Sequence, residues 1–178
     1  MSTIQVRPID PTSSSDLDGC AAAIDTAFVE GDSWFKKDDC KHRCGNGGQD
    51  IQDILAEATS SFLLAEDTAT DTIVGALRVD WNNDTKVGHF GMLGVPSASA
   101  GKGIGKSLVA AMAAFLKDEK GQNEISMPVV STNNERLVAW YEKQGFQCIG
   151  EKFPFPVPEI MLDEYRDTID MIQMRRVL

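Results

Sequence analysis

The sequence lacks three features, which are typical of membrane-spanning proteins, of secreted proteins and of proteins that bind nucleic acid or membranes through positive charge. No run of 18 apolar residues occurs, so no transmembrane helix is expected. The first 30 residues contain acidic side chains and lack the apolar core of a secretory signal peptide. Basic residues are in deficit, with 17 Lys and Arg against 27 Asp and Glu, and the net charge of −10 disfavours non-specific binding to nucleic acid or to a membrane. We therefore expect an intracellular, cytoplasmic protein with neither of these partners.

Cysteine is also scarce, with four residues in a chain of 178. In an intracellular protein these side chains are expected to be free thiols. Cys40 and Cys44 flank His42, but no second pair of ligands follows them at the spacing of a zinc site. The sequence therefore predicts no metal centre.

What the chain does contain is typical of one soluble globular domain. Its composition is 42% hydrophobic and 25% charged. A domain of this length buries roughly 70% of the surface that its unfolded chain exposes. No internal repeat or long linker interrupts the sequence, so residues 1–178 are expected to form a single domain.

The spacing of apolar residues predicts alternating strands and helices, with several strands adjacent in sequence. Adjacent strands favour antiparallel pairing, so the sheet should be mixed rather than purely parallel. One helix should begin at a capping box formed by residues 132–135 and end at Gly145. The other predicted helices are 16–28, 51–58 and one that opens at 104; the predicted strands are 3–7, 61–65, 72–81, 86–95, 125–130, 146–150 and 168–175.

The most informative stretch is AGKGIGKS, residues 100–107, which follows a predicted strand and opens a predicted helix. It matches the Walker A pattern G-x-x-x-x-G-K-[ST] except at the first glycine, and it fails the dinucleotide pattern G-x-G-x-x-G. A P-loop also needs an aspartate for magnesium at the end of the next strand, whereas that strand here runs into Ser131, Thr132 and Asn133. A P-loop nucleotide-binding protein is therefore a remote alternative.

A second interpretation of the same loop is a site for the pyrophosphate of coenzyme A. The N-terminus of a helix carries unpaired N–H groups and about half a positive charge, and glycines let these groups approach a phosphate closely. Two lysines add positive charge within an acidic protein. The residues predicted to hold the phosphates are Ala100, Gly101, Lys102, Gly103, Ile104, Gly105, Lys106 and Ser107.

Two longer stretches carry a further signal. The first, HFGMLGVPSASAGKGIGKSLV (89–109), joins a strand and a short turn to the glycine loop. The second, NERLVAWYEKQGF (134–146), places an asparagine seven residues before a tyrosine and ends on a Gly-Phe pair. Both resemble motifs of the GNAT superfamily of acyl-CoA-dependent N-acetyltransferases, and the order of elements is similar across nearly the whole chain. Ala100 departs from the Gln or Arg usual in that family, which removes a side chain but keeps the backbone N–H.

The resemblance implies a GNAT fold, an α/β fold of the α+β type. Such a fold has a mixed, mostly antiparallel sheet of six or seven strands, flanked by helices and splayed at its centre. Gly91 and Gly94 within one strand are consistent with a bulge there, although they also fit a strand that is merely kinked under a helix. Pro128 in the neighbouring strand fits a place where two strands have separated, or an ordinary sheet edge.

The resemblance also implies acetyl-CoA as co-substrate. Its pantetheine arm would pair with the backbone of Leu93, Gly94 and Val95, and Asn134 would hold it. The alternative role of Asn134 is to cap the helix that follows it.

For chemistry, the resemblance implies transfer of an acetyl group to a primary amine by direct attack in a ternary complex. Tyr141 matches the family's general acid, which protonates the departing thiolate; its other possible role is core packing. His89 stands where some family members carry a carboxylate that acts as the general base. Histidine can accept the amine proton in the same way, although a lone strand histidine is often structural. Asp80 and Glu30 are the reserve candidates for the base.

The acceptor itself is not fixed by the sequence. Residues 32–43 and 153–158 are candidate acceptor walls, and an amine carried by a small molecule is the favoured acceptor. A peptide or protein N-acetyltransferase and an acyl-CoA-binding module without catalysis are the alternatives. The chain is expected to be a monomer or a homodimer.

Overall fold

The computed structural model describes residues 3–31, 46–132, 134–156 and 168–178. Its α-helices within these ranges are α1 (Ser14–Gly31), α2 (Gly48–Leu55), α3 (Ile104–Ala114) and α4 (Glu135–Lys143). A 3₁₀ turn (Ser97–Ser99) precedes the glycine loop, and a π-helical turn (Phe115–Glu119) extends α3. The strands are β1 (Ile4–Pro8), β2 (Ser60–Asp67), β3 (Thr72–Trp81), β4 (Val87–Gly94), β5 (Glu124–Val130), β6 (Gln147–Pro154) and β7 (Asp170–Val177).

The strands form one sheet in the order β1-β2-β3-β4-β5-β7-β6. Neighbouring strands pair antiparallel except β4 and β5, which are parallel. Only Val87 with Glu124 and Gly88 with Ile125 are paired between those two strands, which separate beyond that point. The predicted GNAT fold, with a mixed, mostly antiparallel sheet and splayed central strands, is therefore confirmed.

Each face of the sheet packs against helices. On one face α3 and α4 bury a core that includes Leu77, Phe90, Leu108, Met127 and Tyr141. On the other face α1 and α2 cover a second core that includes Ile24, Ile51, Phe62, Leu64 and Ala76. Side chains alternate between faces along a strand, so successive residues at the fork between β4 and β5 reach opposite sides of the sheet.

The start of α1 is anchored to β1 by charge. The Arg7 guanidinium lies 2.5 Å and 2.9 Å from the two carboxylate oxygens of Asp16, in a bidentate pair, and its Nε donates to Glu66. Asp16 is 5% exposed and also accepts the Asp10 N–H. The bond from Arg7 holds the pKa of the Asp16 carboxyl below its usual value. This pair fixes the position of α1, whose far end contributes to the cavity described below.

Two local predictions differ from the structure. The capping box is wrong, because the Thr132 hydroxyl accepts the Asp170 N–H at 2.8 Å and is thereby drawn toward β7. The helix instead opens with Asn134 as N-cap, without a side-chain bond to the helix. Phe153 and Pro154, predicted as part of a loop, belong to β6 and pair with β7.

Some sequence expectations fall wholly or partly outside the described residues. These include Cys40 and Cys44, the candidate acceptor wall at 32–43 and the end of the one at 153–158. Of the cysteines in the described ranges, Cys20 is buried and Cys148 is exposed. Of the helices in the described ranges, none combines the length and the apolar character that crossing a membrane requires.

Candidate active site

A cavity of about 420 Å³ occupies the fork where β4 and β5 separate. Met127 and Val129 of β5 line it, and their side chains belong to the core under α3 and α4. Pro128 and Val130, the alternate residues of the same strand, line it as well. Because alternate side chains point to opposite faces, the cavity passes through the sheet and has one half on each side. We call these the α4 side and the α1 side.

The β4 wall of the cavity is a bulge. Arg78 pairs with Gly91 and Ala76 with Gly94, so that Met92 and Leu93 together oppose Leu77. Met92 adopts φ of 49°, a left-handed conformation that is uncommon for a residue with a side chain. The bulge predicted from the two glycines is confirmed, although the unusual dihedral falls on the residue between them.

Glycine is required at position 94 for a different reason. A Cβ built there would lie 2.8 Å from the Ile24 Cα and 3.1 Å from the Ala23 carbonyl oxygen, because α1 crosses directly over the strand. Gly94 therefore sets how closely α1 approaches the bulge. Of the three predicted pantetheine contacts at the end of β4 and just after it, Leu93 and Val95 line the cavity, and Gly94 is buried between them against α1.

The β5 wall is shaped by Pro128. The Ser126 carbonyl oxygen points across the fork to His89, and backbone groups two residues apart in a strand point the same way. The backbone nitrogen of Pro128 therefore faces the fork, where no strand is available to accept a hydrogen bond. Proline leaves no orphaned N–H at that place, which confirms the interpretation of Pro128 as a residue at a separation of strands.

The glycine loop presents a row of backbone donors at the start of α3. Gly101 and Gly103 have φ of 77° and 78°, and a Cβ built on either would meet nothing within 4 Å. No hydrogen bond within the described ranges uses a backbone N–H of residues 101–106 as its donor. The N–H of Ser107, in contrast, already bonds to the Gly103 carbonyl.

The side chains of the loop divide into two groups. Lys102 and Lys106 are exposed, and the Lys102 ammonium lies 3.4 Å from the Ala98 carbonyl oxygen. Ile104 is 2% exposed and belongs to the core, so only its backbone is available to a ligand. A Cβ built on Gly105 would lie 3.5 Å from the ring of Trp140 of α4, an ordinary contact distance. Open backbone donors beside two ammonium groups fit a pyrophosphate.

Tyr141 lies on the α4 side of the cavity. Its ring is packed among Trp140, Phe90 and Phe146 at centroid distances of 4.9, 5.9 and 5.8 Å, and 7% of the residue is exposed. Burial raises the pKa of the phenol above its ordinary value. The hydroxyl is therefore fully protonated at neutral pH. The two roles weighed for Tyr141 are compatible in this structure, since its ring packs in the core and the residue lines the cavity.

His89 lies at the base of the fork, one residue beyond the last pair between β4 and β5. Its Nδ1 lies 2.8 Å from the Ser126 carbonyl oxygen. A carbonyl only accepts, so Nδ1 carries the hydrogen and Nε2 of the neutral ring holds the lone pair. The ring is exposed, and His89 is not among the described residues that line the cavity. The structure thus brings His89 close to the fork but not into direct opposition with Tyr141.

The remaining predicted residues differ in position. Asn134 lines the cavity on the α4 side, and its side chain makes no bond to the helix that it opens. Glu30 accepts the Ser97 N–H at 2.7 Å, beside the end of α1 that lines the cavity. Asp80 forms an ion pair with Arg78 and a hydrogen bond with Ser60. It is the residue of β3 that pairs with His89 of β4.

The lining residues that were not predicted include Phe28, Met92 and Met171. Phe28 is an apolar residue at the end of the predicted helix 16–28, and no local pattern distinguishes it from a core residue. Met171 belongs to β7, which pairs with β5 and not with β4, so its proximity depends on a strand order that local patterns do not determine.

Comparison with known proteins agrees with this geometry. The sequence profile described as "Acetyltransferase (GNAT) family" matches residues 27–146. The match spans more than half of the chain, which therefore belongs to the GNAT family. Its classification with these acetyltransferases is confirmed, and the remote P-loop alternative is set aside.

Individual relatives are more distant. Mycothiol acetyltransferase from Salinispora tropica is 34% identical over 93 residues, which cover 49% of this chain and 29% of that protein. A GNAT-family protein from Desulfovibrio desulfuricans superposes with a TM-score of 0.72 at 14% identity, covering 98% of this chain and 99% of the other. A variant of spermidine N-acetyltransferase from Vibrio cholerae gives 0.71 at 16% identity, covering 98% and 93%. At such identities the two structures show a shared fold.

The close approach of α1 generates a prediction with a matched control. Gly94→Ala should destabilise the fold by about 2 kcal/mol, because the new methyl group meets the backbone of α1 rather than a movable side chain. Gly91→Ala should change stability by less than about 0.5 kcal/mol, since open space surrounds that Cβ. Urea unfolding of both variants tests this, and equal stabilities would contradict the proposed packing.

Proposed function

We propose that this chain transfers an acetyl group from acetyl-CoA to the primary amine of a small molecule within a ternary complex. The observation that carries the proposal is the cavity through the sheet, with Tyr141 on one side and open strand and loop backbone leading away from it. Membership of the GNAT family supports acetyl-CoA as the donor. The relatives named above act on mycothiol and spermidine, which supports a small-molecule acceptor.

The coenzyme would be held mainly by backbone groups, with a smaller contribution from charged side chains. The free N–H groups of residues 101–106 suit the pyrophosphate, with Lys102 and Lys106 adding positive charge. The backbone of Leu93 in the bulged β4 and of Val95 just after it is not paired with β5 and suits the amides of the pantetheine arm. Asn134 adds a side-chain amide that the helix does not use. This direction of binding brings the thioester to the fork, beside Tyr141.

The reaction needs two proton movements. The lone pair of the amine nitrogen forms the new C–N bond at the thioester carbonyl, and the C–S bond breaks with its electron pair going to sulfur. Tyr141 donates its hydroxyl proton to that thiolate and later regains a proton from solvent. The proton lost by the nitrogen passes to Nε2 of His89 through water, because His89 does not line the cavity directly.

The neutral amine is the reactive form, and only about one part in a thousand of an alkyl amine is neutral at pH 7. A base at the fork raises the reactive fraction only for acceptors that are already bound. His89 is suited to this because Ser126 holds its Nδ1–H and leaves Nε2 free to accept.

The loop assignment is tested by a pair of substitutions at one position. Gly103 has left-handed dihedrals that Asp and Asn both tolerate, so the two variants differ mainly in charge. A carboxylate at the pyrophosphate should weaken coenzyme A binding by about 100-fold or more, and Gly103→Asn should retain most of it. At 100 times its Kd, coenzyme A should stabilise the wild type by about 2.7 kcal/mol, measured as a rise in Tm. Unchanged binding in Gly103→Asp, or larger stabilisation by Mg-ATP, would contradict the assignment.

The acid is tested by Tyr141→Phe, which keeps the ring and its aromatic packing. Loss of a general acid typically lowers the rate by 10² to 10⁴, equivalent to about 3 to 5 kcal/mol of barrier. The loss should appear in kcat with little change in KM for acetyl-CoA, because a proton transferred in the transition state contributes little to ground-state binding. Thiol release is the measurement. A variant within threefold of the wild type would return Tyr141 to a purely structural role.

The base is tested by His89→Asn, whose amide nitrogen replaces Nδ1–H toward Ser126 while the basic Nε2 is lost. If His89 is the base, the acidic limb that it contributes to the kcat/KM profile should disappear, and high pH should partly rescue activity by supplying neutral amine. Unfolding curves that match the wild type serve as the control. An unchanged pH profile would exclude His89 as the base and favour Glu30 or water.

A further inference from the structure

The α1 side of the cavity is apolar in every described side chain that lines it. Phe28 comes from α1, Met92 from the bulge and Pro128 from β5. These side chains, together with those of Val130, Phe155 and Met171, line that half. Met171 pairs with Val130 across β5 and β7, and with Phe153 across β6 and β7, so it lies within the sheet, which forms the floor of this half, and not at a sheet edge.

Charge lies outside the described part of this half. Among the described lining residues none is ionised, and the polar side chains Asn134 and Tyr141 lie toward α4. Of the acids near Phe28 on α1, Glu30 accepts the Ser97 N–H, and Asp25 is not among the residues that line the cavity. His89 is turned to the Ser126 carbonyl and does not line the cavity. A cation bound within this half would lose its hydration without gaining a carboxylate partner from the described lining residues.

We propose that the acceptor is a primary monoamine carried on an apolar group, alkyl or aryl, and not a polyamine or an amine flanked by other charges. The inference rests on the proposed acetyl transfer, since it assigns this half of the cavity to the acceptor. An apolar tail gains free energy by filling such a lining, whereas a second ammonium group would be desolvated against described side chains that offer it no partner.

The same lining also assists the chemistry. Burial disfavours the charged form of an amine, so an amine that enters the cavity loses its proton more readily than it does in water. The apolar half therefore selects the acceptor and increases the fraction of bound amine in the reactive form.

The test compares two acceptors that differ in one group. Butylamine and 1,4-diaminobutane share a four-carbon chain, which ends in a methyl group in the first and in a second ammonium group in the second. Thiol release should give a kcat/KM for butylamine at least about 100-fold above that for the diamine. An arylalkyl amine, 2-phenylethylamine, should exceed butylamine because its ring buries more apolar surface.

A pair of variants locates the selectivity. Met171→Glu places a carboxylate on the floor of the cavity, and Met171→Gln is a neutral control of similar size. The ratio of kcat/KM for the diamine over butylamine should rise at least about tenfold in Met171→Glu and stay near the wild-type ratio in Met171→Gln. Stabilisation by coenzyme A should be retained in both, since Met171 lies on the other side of the sheet from Tyr141.

The outcomes separate the inference from the proposed function. Acetyl transfer that prefers the diamine in the wild-type protein would overturn the inference and leave the function standing. Stabilisation by coenzyme A without transfer to any of the three amines would overturn both, and would favour a binding module. If the variants fail to fold, the wild-type ratio alone decides.

Discussion

The separation of β4 from β5 is the constraint on which the rest of the structure depends. Two parallel strands that part after two residue pairs leave backbone groups without a ladder, and an unpaired buried donor or acceptor costs about 1–3 kcal/mol. The chain reduces that cost at both edges. The His89 ring satisfies the Ser126 carbonyl, Pro128 removes an N–H from the gap, and the bulge at Met92 turns β4 away. What is left unpaired is the stretch of β4 that lines the cavity, where a ligand with amide groups can complete the ladder.

The elements around the fork hold it open. On one side α1 packs directly on the strand at Gly94, and its first turn is tied to β1 through Arg7 and Asp16. On the other side α3 and α4 meet where Gly105 lies beside Trp140, next to Tyr141. The fork is thus wedged between helices on both faces, and the strands cannot close by pairing without displacing a buried core. A rigid opening of this kind positions reacting groups at little cost in entropy when substrates bind.

Much of the fold could be predicted from the sequence, because its signals are local. Period-two strands, the glycine loop at a helix start and Gly145 at a helix end depend on neighbours within a few residues. The errors share another cause. Thr132 was assigned to a helix cap, and instead bonds to Asp170, 38 residues away. Met171 and Phe28 line the cavity only because strand order and helix packing bring them there, and no local pattern records that order. The positive φ of Met92 also follows from the register of β3 with β4. The catalytic roles of Tyr141 and His89 are still predictions. The structure shows only which groups surround the two side chains.

The buried position of Tyr141 raises a question about its fitness as an acid, since a higher pKa makes proton donation harder. The answer lies in what it would donate to. A thiolate leaving in the same apolar cavity is also disfavoured by the lack of water, so its proton affinity rises together with that of the phenol. The difference between the two groups, which decides the transfer, changes less than either value alone. Charge separation between a positive nitrogen and a negative sulfur is disfavoured there as well, which couples C–S cleavage to proton transfer. In the proposed reaction, an apolar cavity lined by the neutral Tyr141 hydroxyl would therefore favour a path in which no isolated charge persists, while Lys102 and Lys106 stay exposed on the glycine loop.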